Sequence, residues 1–187
     1  MRLAPSSSEY SVRLWRWTKV SGACCIVLAG LAGPRGIVYW PQVPYTIRPA
    51  TVADQPTIRR MVRDAGINPM NLKWPNFLVA ADGRAIVGIG QVKAHRDGSR
   101  ELASMAVVKE RQGHGIGGAI VNALIASQGD RTLYLTCRRQ LEGYYERFGF
   151  RRIERQDHPA YFARMLPVVN LFARLARMEI ILMRRPG

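Results

Sequence analysis

The segment that most constrains this chain is Gln112-Gly113-His114-Gly115-Ile116-Gly117, a glycine-dense turn between two apolar stretches. Before it runs the strand-like Leu102-Ala103-Ser104-Met105-Ala106-Val107-Val108, and after it Gly118-Ala119-Ile120-Val121 opens a helix. A strand that feeds such a turn into a helix start converges several backbone N–H groups on one point. The helix terminus adds partial positive charge to that point. The turn is therefore suited to a pyrophosphate or a similar anion.

Two common phosphate fingerprints fit it poorly. Gly113-x-Gly115-x-x-Gly118 satisfies the dinucleotide-binding glycines, but the nearby acid Asp130 precedes the next strand. A P-loop needs Gly-Lys-Ser/Thr, and Gly117-Gly118-Ala119 supplies no such triplet. The segment is similar instead to the acetyl-CoA pyrophosphate loop of the GNAT superfamily, Gln/Arg-x-x-Gly-x-Gly/Ala. Gln112, Gly115 and Gly117 fall on its fixed positions. Further on, Leu141-Glu142-Gly143-Tyr144-Tyr145-Glu146-Arg147-Phe148-Gly149-Phe150-Arg151 resembles the superfamily's second signature, a short helix ended by a glycine cap. Tyr145 takes the position whose phenol, in many members, protonates the departing CoA thiolate. Tyr144, Phe148 and Phe150 read as core aromatics.

The element order from Tyr45 onward agrees with the resemblance. A short strand at Thr46 to Pro49 precedes a helix capped by Thr51 and Asp54 and ending at Gly66. Strands at Asn76 to Ala81, Ala85 to His95 and Glu101 to Val108 follow, joined by hairpin turns at Asp82-Gly83 and Arg96-Asp97-Gly98. Then come the helix Gly115 to Gln128, a buried strand Thr132 to Cys137, the Tyr145 helix, a strand Phe150 to Glu154 and a final strand Glu179 to Met183. The resemblance implies an α/β GNAT-type acyl-CoA N-acyltransferase fold: a central, mostly antiparallel sheet flanked by helices on both faces.

It also implies a chemistry, N-acetyl transfer from acetyl-CoA to an amine, with no metal. In the superfamily the strand carrying Met105, Ala106 and Val107 splays from its neighbour and pairs with the pantetheine arm. The pyrophosphate falls to Gln112, Gly113, His114, Gly115, Ile116, Gly117 and Gly118, with the His114 side chain turned to solvent. An attacking amine must lose a proton, and the thioester oxygen needs donors. Glu101, at the start of that strand, is the candidate base beside Tyr145 as the acid. The alternative for Glu101 is a solvated strand-end acid paired with Arg100 or another arginine, and His95 is the second base candidate. Arg138 and Arg139 stand where the superfamily often has asparagine.

Composition bounds what remains. The 187 residues suffice for one domain with a sizeable core, and 28 basic against 13 acidic residues give a net charge of +15. That charge admits an anionic partner, but the arginines are scattered without interleaved aromatics, so no specific nucleic acid is expected. Cys24, Cys25 and Cys137 form neither a disulfide framework nor a metal spacing, which points to a reduced compartment, and the acetyl-CoA that the resemblance implies points to the cytoplasm. Residues 1–44 read as an extension, disordered or a mis-called start, with a signal-like apolar run at 20–32 too short to span a bilayer. Residues 159–177 form a helical insertion that Pro167 should bend or interrupt, serving as a cover for the acceptor cleft, a packing helix or, less readily, a membrane-facing one. The competing functions are a catalytically idle CoA-binding module with a regulatory role, and a basic nucleic-acid-binding protein. A homodimer is compatible with the chain.

Overall fold

Three strands joined by tight turns build the middle of the main sheet, and their near-continuous apolar runs between Phe77 and Val107 suit strands buried on both faces. The computed structural model describes residues 17–20, 23–26, 45–175 and 177–187. Trp17–Val20 (β1) and Ala23–Ile26 (β2) pair antiparallel within a unit of their own, Met1–Pro44. The rest of the expected 1–44 extension, with most of its 20–32 run, lies outside the described residues.

The second unit, Tyr45–Gly187, holds β3 (Thr46–Pro49), α1 (Gln55–Asp64), β4 (Phe77–Asp82), β5 (Ala85–Ala94), β6 (Arg100–Val107) and α2 (Ile116–Gln128). β7 (Leu133–Arg138), α3 (Glu142–Glu146), β8 (Arg151–Arg152), α4 (Ala160–Leu175) and β9 (Ile180–Arg185) complete it. The 7-stranded sheet runs β3-β4-β5-β6-β7-β9-β8, and every neighbouring pair is antiparallel except β6 with β7. Among the described residues no helix is long and apolar enough to cross a membrane.

Both faces of the sheet are covered. On one, Ile116, Ile120, Val121 and Leu124 of α2 pack with Leu133, Leu135, Phe150 and Met183. A β-carbon at Gly88 would lie 2.8 Å from Ile120 Cδ1, and one at Gly90 2.8 Å from Ile120 Cγ2, so these glycines let α2 sit directly on β5. On the other face, Ile58, Met61 and Val62 of α1 pack on Phe77, Val79 and Ile89, while Phe162 and Leu166 of α4 pack on Leu182.

Two sequence expectations need correction. The strand expected at Phe150 to Glu154 is only Arg151–Arg152, an edge pair held by β9. Of the bend or interruption expected at Pro167, the interruption does not occur: α4 runs through it. Packing outweighs the lost backbone bond, because both halves of the helix are anchored. Phe162 and Leu166 are buried on the N-terminal side. On the C-terminal side Asn170 donates to the Ile180 carbonyl at 3.0 Å and accepts from the Ile180 N–H at 2.9 Å. The opposite side of α4 leaves Val168, Leu171, Phe172 and Leu175 exposed.

The centre of the sheet is irregular where it matters most. Gln91 pairs with Ala103 but Ile89 pairs with Ala106, so β6 carries one residue more than β5 across the bulge, and Ser104 takes φ +53° there. β6 then touches β7 through one bridge only, Glu101 opposite Tyr134. Beyond that bridge the two strands diverge, and Met105–Val107 pair with β5 alone where they pair at all.

Two outcomes follow from this packing. Gly90→Ala should cost about 1–3 kcal/mol by overpacking against Ile120, read as a lowered denaturant midpoint at unchanged slope. Asp54, buried at the entry to α1, accepts from Arg48 at 2.7 Å, from the Thr51 N–H at 2.7 Å and from the Thr51 hydroxyl at 2.9 Å. The Arg48 hydrogen bond leads the forces that hold its pKa well below the ordinary carboxylate range. Its contribution is therefore complete above the unfolded pKa of about 4 and is lost as pH falls from there toward the folded value. Asp54→Asn should destabilise by about 1 kcal/mol at pH 7, and the difference from the parent should shrink below about pH 4 in urea titrations.

Candidate active site

The glycine turn folds as an open cradle. From the end of β6 the chain makes a 3-10 turn at Lys109–Arg111, then passes through Gly113 at φ +80° and Gly115 at φ +78° into α2. Gly115 is the N-cap residue, and a left-handed conformation there admits no ordinary side chain without strain. No side chain caps α2, and the N–H groups of residues 113–118 find no acceptor among the described residues. A row of unsatisfied donors at a helix N-terminus is an anion site in waiting.

The side chains around it do different work from their backbones. Gln112 donates from Nε2 to the Val107 carbonyl at 3.0 Å, so it ties the loop to β6 and does not reach outward. His114 is exposed, as expected; its Nδ1 lies 2.8 Å from the Gln112 carbonyl and must carry the proton. The Ile116 side chain is core, which leaves its N–H as the only group it offers to the turn. Sequence reasoning gave Tyr144 to packing alone, but its hydroxyl reaches the first turn of α2, 3.1 Å from where a Gly117 β-carbon would stand. Phe148 closes on Gly118 in the same way, and the Arg147 guanidinium lies 4.7 Å from the centre of the Tyr144 ring.

Tyr145 sits deeper. It is buried in the α2-side core, edge-on to Phe150 at 6.2 Å and to Tyr144 at 5.0 Å. Burial, with smaller effects from Cys137 and Tyr144, raises its pKa well above the ordinary phenol value. Burial likewise pushes the Cys137 thiol up to about 11. The Tyr145 hydroxyl has no hydrogen-bond partner among the described residues, yet it is not sealed in. Among the described residues the one fully enclosed side-chain polar atom without a partner is Gln91 Oε1.

The opposite face of the same strands is polar. Gly90 looks toward α2, so the alternating residues Ile89, Gln91, Lys93 and His95 look the other way, and across the register so do Glu101 and Ala103. These residues form a strip on the side of the sheet that carries α1 and α4. Glu101 is buried there, with Oε2 3.0 Å from His95 Nε2 and Oε1 3.1 Å from the Thr136 hydroxyl. A carboxylate can only accept, so Nε2 carries the imidazole proton. The pairing of Glu101 with Arg100 does not form; Arg100 donates to Gln128 at 3.1 Å instead. The two base candidates are thus one hydrogen-bonded pair, which no sequence spacing disclosed.

α4 covers this pair. The Tyr161 ring stacks on His95 at 3.6 Å and 15°, and Phe162 meets the imidazole edge-on at 5.6 Å. Asp97 fixes the start of the helix by accepting the Tyr161 N–H at 2.7 Å, while Ser99 donates to its other oxygen at 2.6 Å. The Ser99 hydroxyl leads the contacts that lower the Asp97 pKa. Arg139 pairs with Glu179 at 2.9 Å, and Arg138 is exposed at the end of β7. An open hollow of about 570 Å³ beside α1, lined by Arg59, Arg63, Ile67, Pro69 and Leu72, involves none of these groups. No group of His, Cys, Asp and Glu among the described residues is placed to hold a metal ion.

Replacing Asp97 with alanine should leave the first turn of α4 without its backbone acceptor. We expect a loss of about 1 kcal/mol and faster amide exchange at residues 160–164, with the exchange of α2 unchanged. Unaltered exchange at the start of α4 would show that the Asp97 contact does not secure the helix.

Comparison with known proteins fits this geometry. The family model described as "Acetyltransferase (GNAT) domain" matches residues 73–152. No curated protein matches the chain in sequence. Among solved structures, the fold is similar to Rv2747 from Mycobacterium tuberculosis, solved in complex with CoA and NLQ. The TM-score is 0.61 at 21% identity, over 76% of this chain and 99% of that one. It is similar to the ribosomal-protein-S18-alanine N-acetyltransferase from Escherichia coli, at TM-score 0.56 and 19% identity, over 76% and 94%. It is also similar to N-acetylglutamate synthase from Neisseria gonorrhoeae, complexed with coenzyme A and N-acetyl-glutamate. That match has TM-score 0.58 and 19% identity, over 76% of this chain but 35% of the larger protein. With its seven-stranded, mostly antiparallel sheet and helices on both faces, the chain has the GNAT acyltransferase fold, and its residues 73–152 match the family model of the GNAT acetyltransferase domain.

Proposed function

We propose that this protein transfers the acetyl group of acetyl-CoA to a primary amine by direct attack. The observation that carries the reading is the opening between β6 and β7, which has the unsatisfied cradle at one end, Tyr145 on one face and the Glu101–His95 pair on the other. Acetyl-CoA is a substrate here, and the CoA complexes of similar folds support its place. Its pyrophosphate suits the N–H groups of Gly113 to Gly118, and its pantetheine arm suits the open edge of Met105, Ala106 and Val107.

The chemistry follows from where charge develops. The amine nitrogen attacks the thioester carbonyl carbon; a C–N bond forms, the C–S bond breaks, the amine loses one proton and the thiolate gains one. The free N–H groups of β6 next to the bulge are the donors for the transient oxyanion. Glu101 takes the amine proton through water, since its own oxygens are held by His95 and Thr136. Tyr145 supplies the proton for sulfur, and its raised pKa keeps the phenol protonated throughout the neutral range. An idle CoA-binding module has no use for a buried acid–imidazole pair facing the gap. The need for acetyl-CoA supports a cytoplasmic setting for the reaction.

Acetyl-CoA at a hundredfold excess over its Kd should stabilise the protein by about 2.7 kcal/mol, a rise in Tm that a folded Gly115→Asp variant should lose. Thiol release with a panel of amines tests turnover. Tyr145→Phe should lower kcat by about 10²–10⁴-fold with the thermal shift retained, whereas Tyr144→Phe should act on the acetyl-CoA KM. Equal kcat in the parent and Tyr145→Phe would remove Tyr145 from the chemistry.

A further inference from the structure

Lys93 is a buried charged group on the face of Glu101 that the reaction above does not use. It lies on β5 directly opposite Glu101 in the strand register, on the polar face between α1 and α4, and it is only 9% exposed. A buried ammonium is normally paired, because leaving its charge without a partner costs several kcal/mol. Lys93 has neither an ion pair nor a hydrogen bond among the described residues. Glu101 attracts it across the strands but spends its oxygens on His95 and Thr136. Nor is the ammonium sealed in, since among the described residues Gln91 Oε1 is the one fully enclosed side-chain polar atom that lacks a partner.

We propose that Lys93 receives the carboxylate of the acceptor, so that the preferred substrates are amino acids or similar amines with a carboxylate close to the nucleophilic nitrogen. This inference rests on the acetyltransferase reading and names the substrate class for it. The geometry sets the length of the acceptor: the carboxylate goes to β5 at Lys93, and the amine goes to the adjoining strand, where the Glu101–His95 pair takes its proton. An anion entering the strip supplies the neutralising partner that the fold withholds from Lys93. Burial lowers the Lys93 pKa, a cost that a bound carboxylate offsets.

The test compares L-amino acids with their carboxamides in thiol-release assays of the full chain, for the parent, Lys93→Met and Lys93→Arg. The parent should prefer the acids by about tenfold or more in kcat/KM, the worth of one charged hydrogen bond. Lys93→Met should collapse that preference, chiefly through the KM of the acid. Lys93→Arg should restore part of it, and both variants should keep the acetyl-CoA thermal shift as evidence of folding. If acids and amides are used equally, or if Lys93→Met slows both alike, Lys93 is no carboxylate receptor and the proposal is overturned while the acetyltransferase reading stands. If no amine supports turnover and acetyl-CoA gives no thermal shift, both fall together.

Discussion

The single bridge between β6 and β7 is the constraint on which the rest of the molecule depends. Parallel neighbours in a continuous sheet would satisfy one another's backbone groups over their whole length. Here the extra residue at Ser104 disrupts the ladder, and after Glu101 and Tyr134 the strands part. The edge of Met105–Val107, free of β7 and held by Gln112 at the Val107 carbonyl, leads into the unpaired donors of the glycine turn. Local incompleteness of the sheet and of the helix cap therefore falls in one continuous line, one place for one extended, phosphate-bearing ligand.

Keeping such an opening requires support on both faces. On the α2 side the support is apolar and tight: Gly88 and Gly90 bring α2 down onto β5, and Ile120 and Leu124 fill the space. On the other side it is polar. Gln91 donates to the Ser104 hydroxyl at 2.8 Å beneath the bulge, Thr136 and His95 hold Glu101, and Tyr161 closes over His95. Hydrogen-bonded networks of this kind are costly when incomplete. Two groups in this one remain unfulfilled, Gln91 Oε1 and the Lys93 ammonium, and of these Lys93 is the one a ligand can reach.

Much of the fold was legible in the sequence because its signals are local. Asp82-Gly83 marks the β4–β5 turn, the glycines at 113 and 115 sit where φ is positive, and Gly149 ends the α3 segment at φ +82°. The features that were not legible depend on register and on distant packing. Nothing in the spacing of His95 and Glu101 distinguishes a hydrogen-bonded pair from two separate residues, since the bond depends on how the β5–β6 hairpin is aligned. The continuity of α4 through Pro167 depends on Asn170 meeting Ile180, a contact made only once β9 is in place. Nothing in the sequence marks Lys93; its burial in the folded chain singles it out.

Amide hydrogen exchange of the full chain, with and without acetyl-CoA, tests the central claim most directly, because it reports on the backbone donors themselves. The account predicts that acetyl-CoA slows exchange at Met105–Val107 and at residues 113–118, while the β3–β4 pair, far along the sheet, exchanges as before. Protection elsewhere, with these two segments unchanged, would contradict the assignment of the β6–β7 opening as the acyl-donor slot.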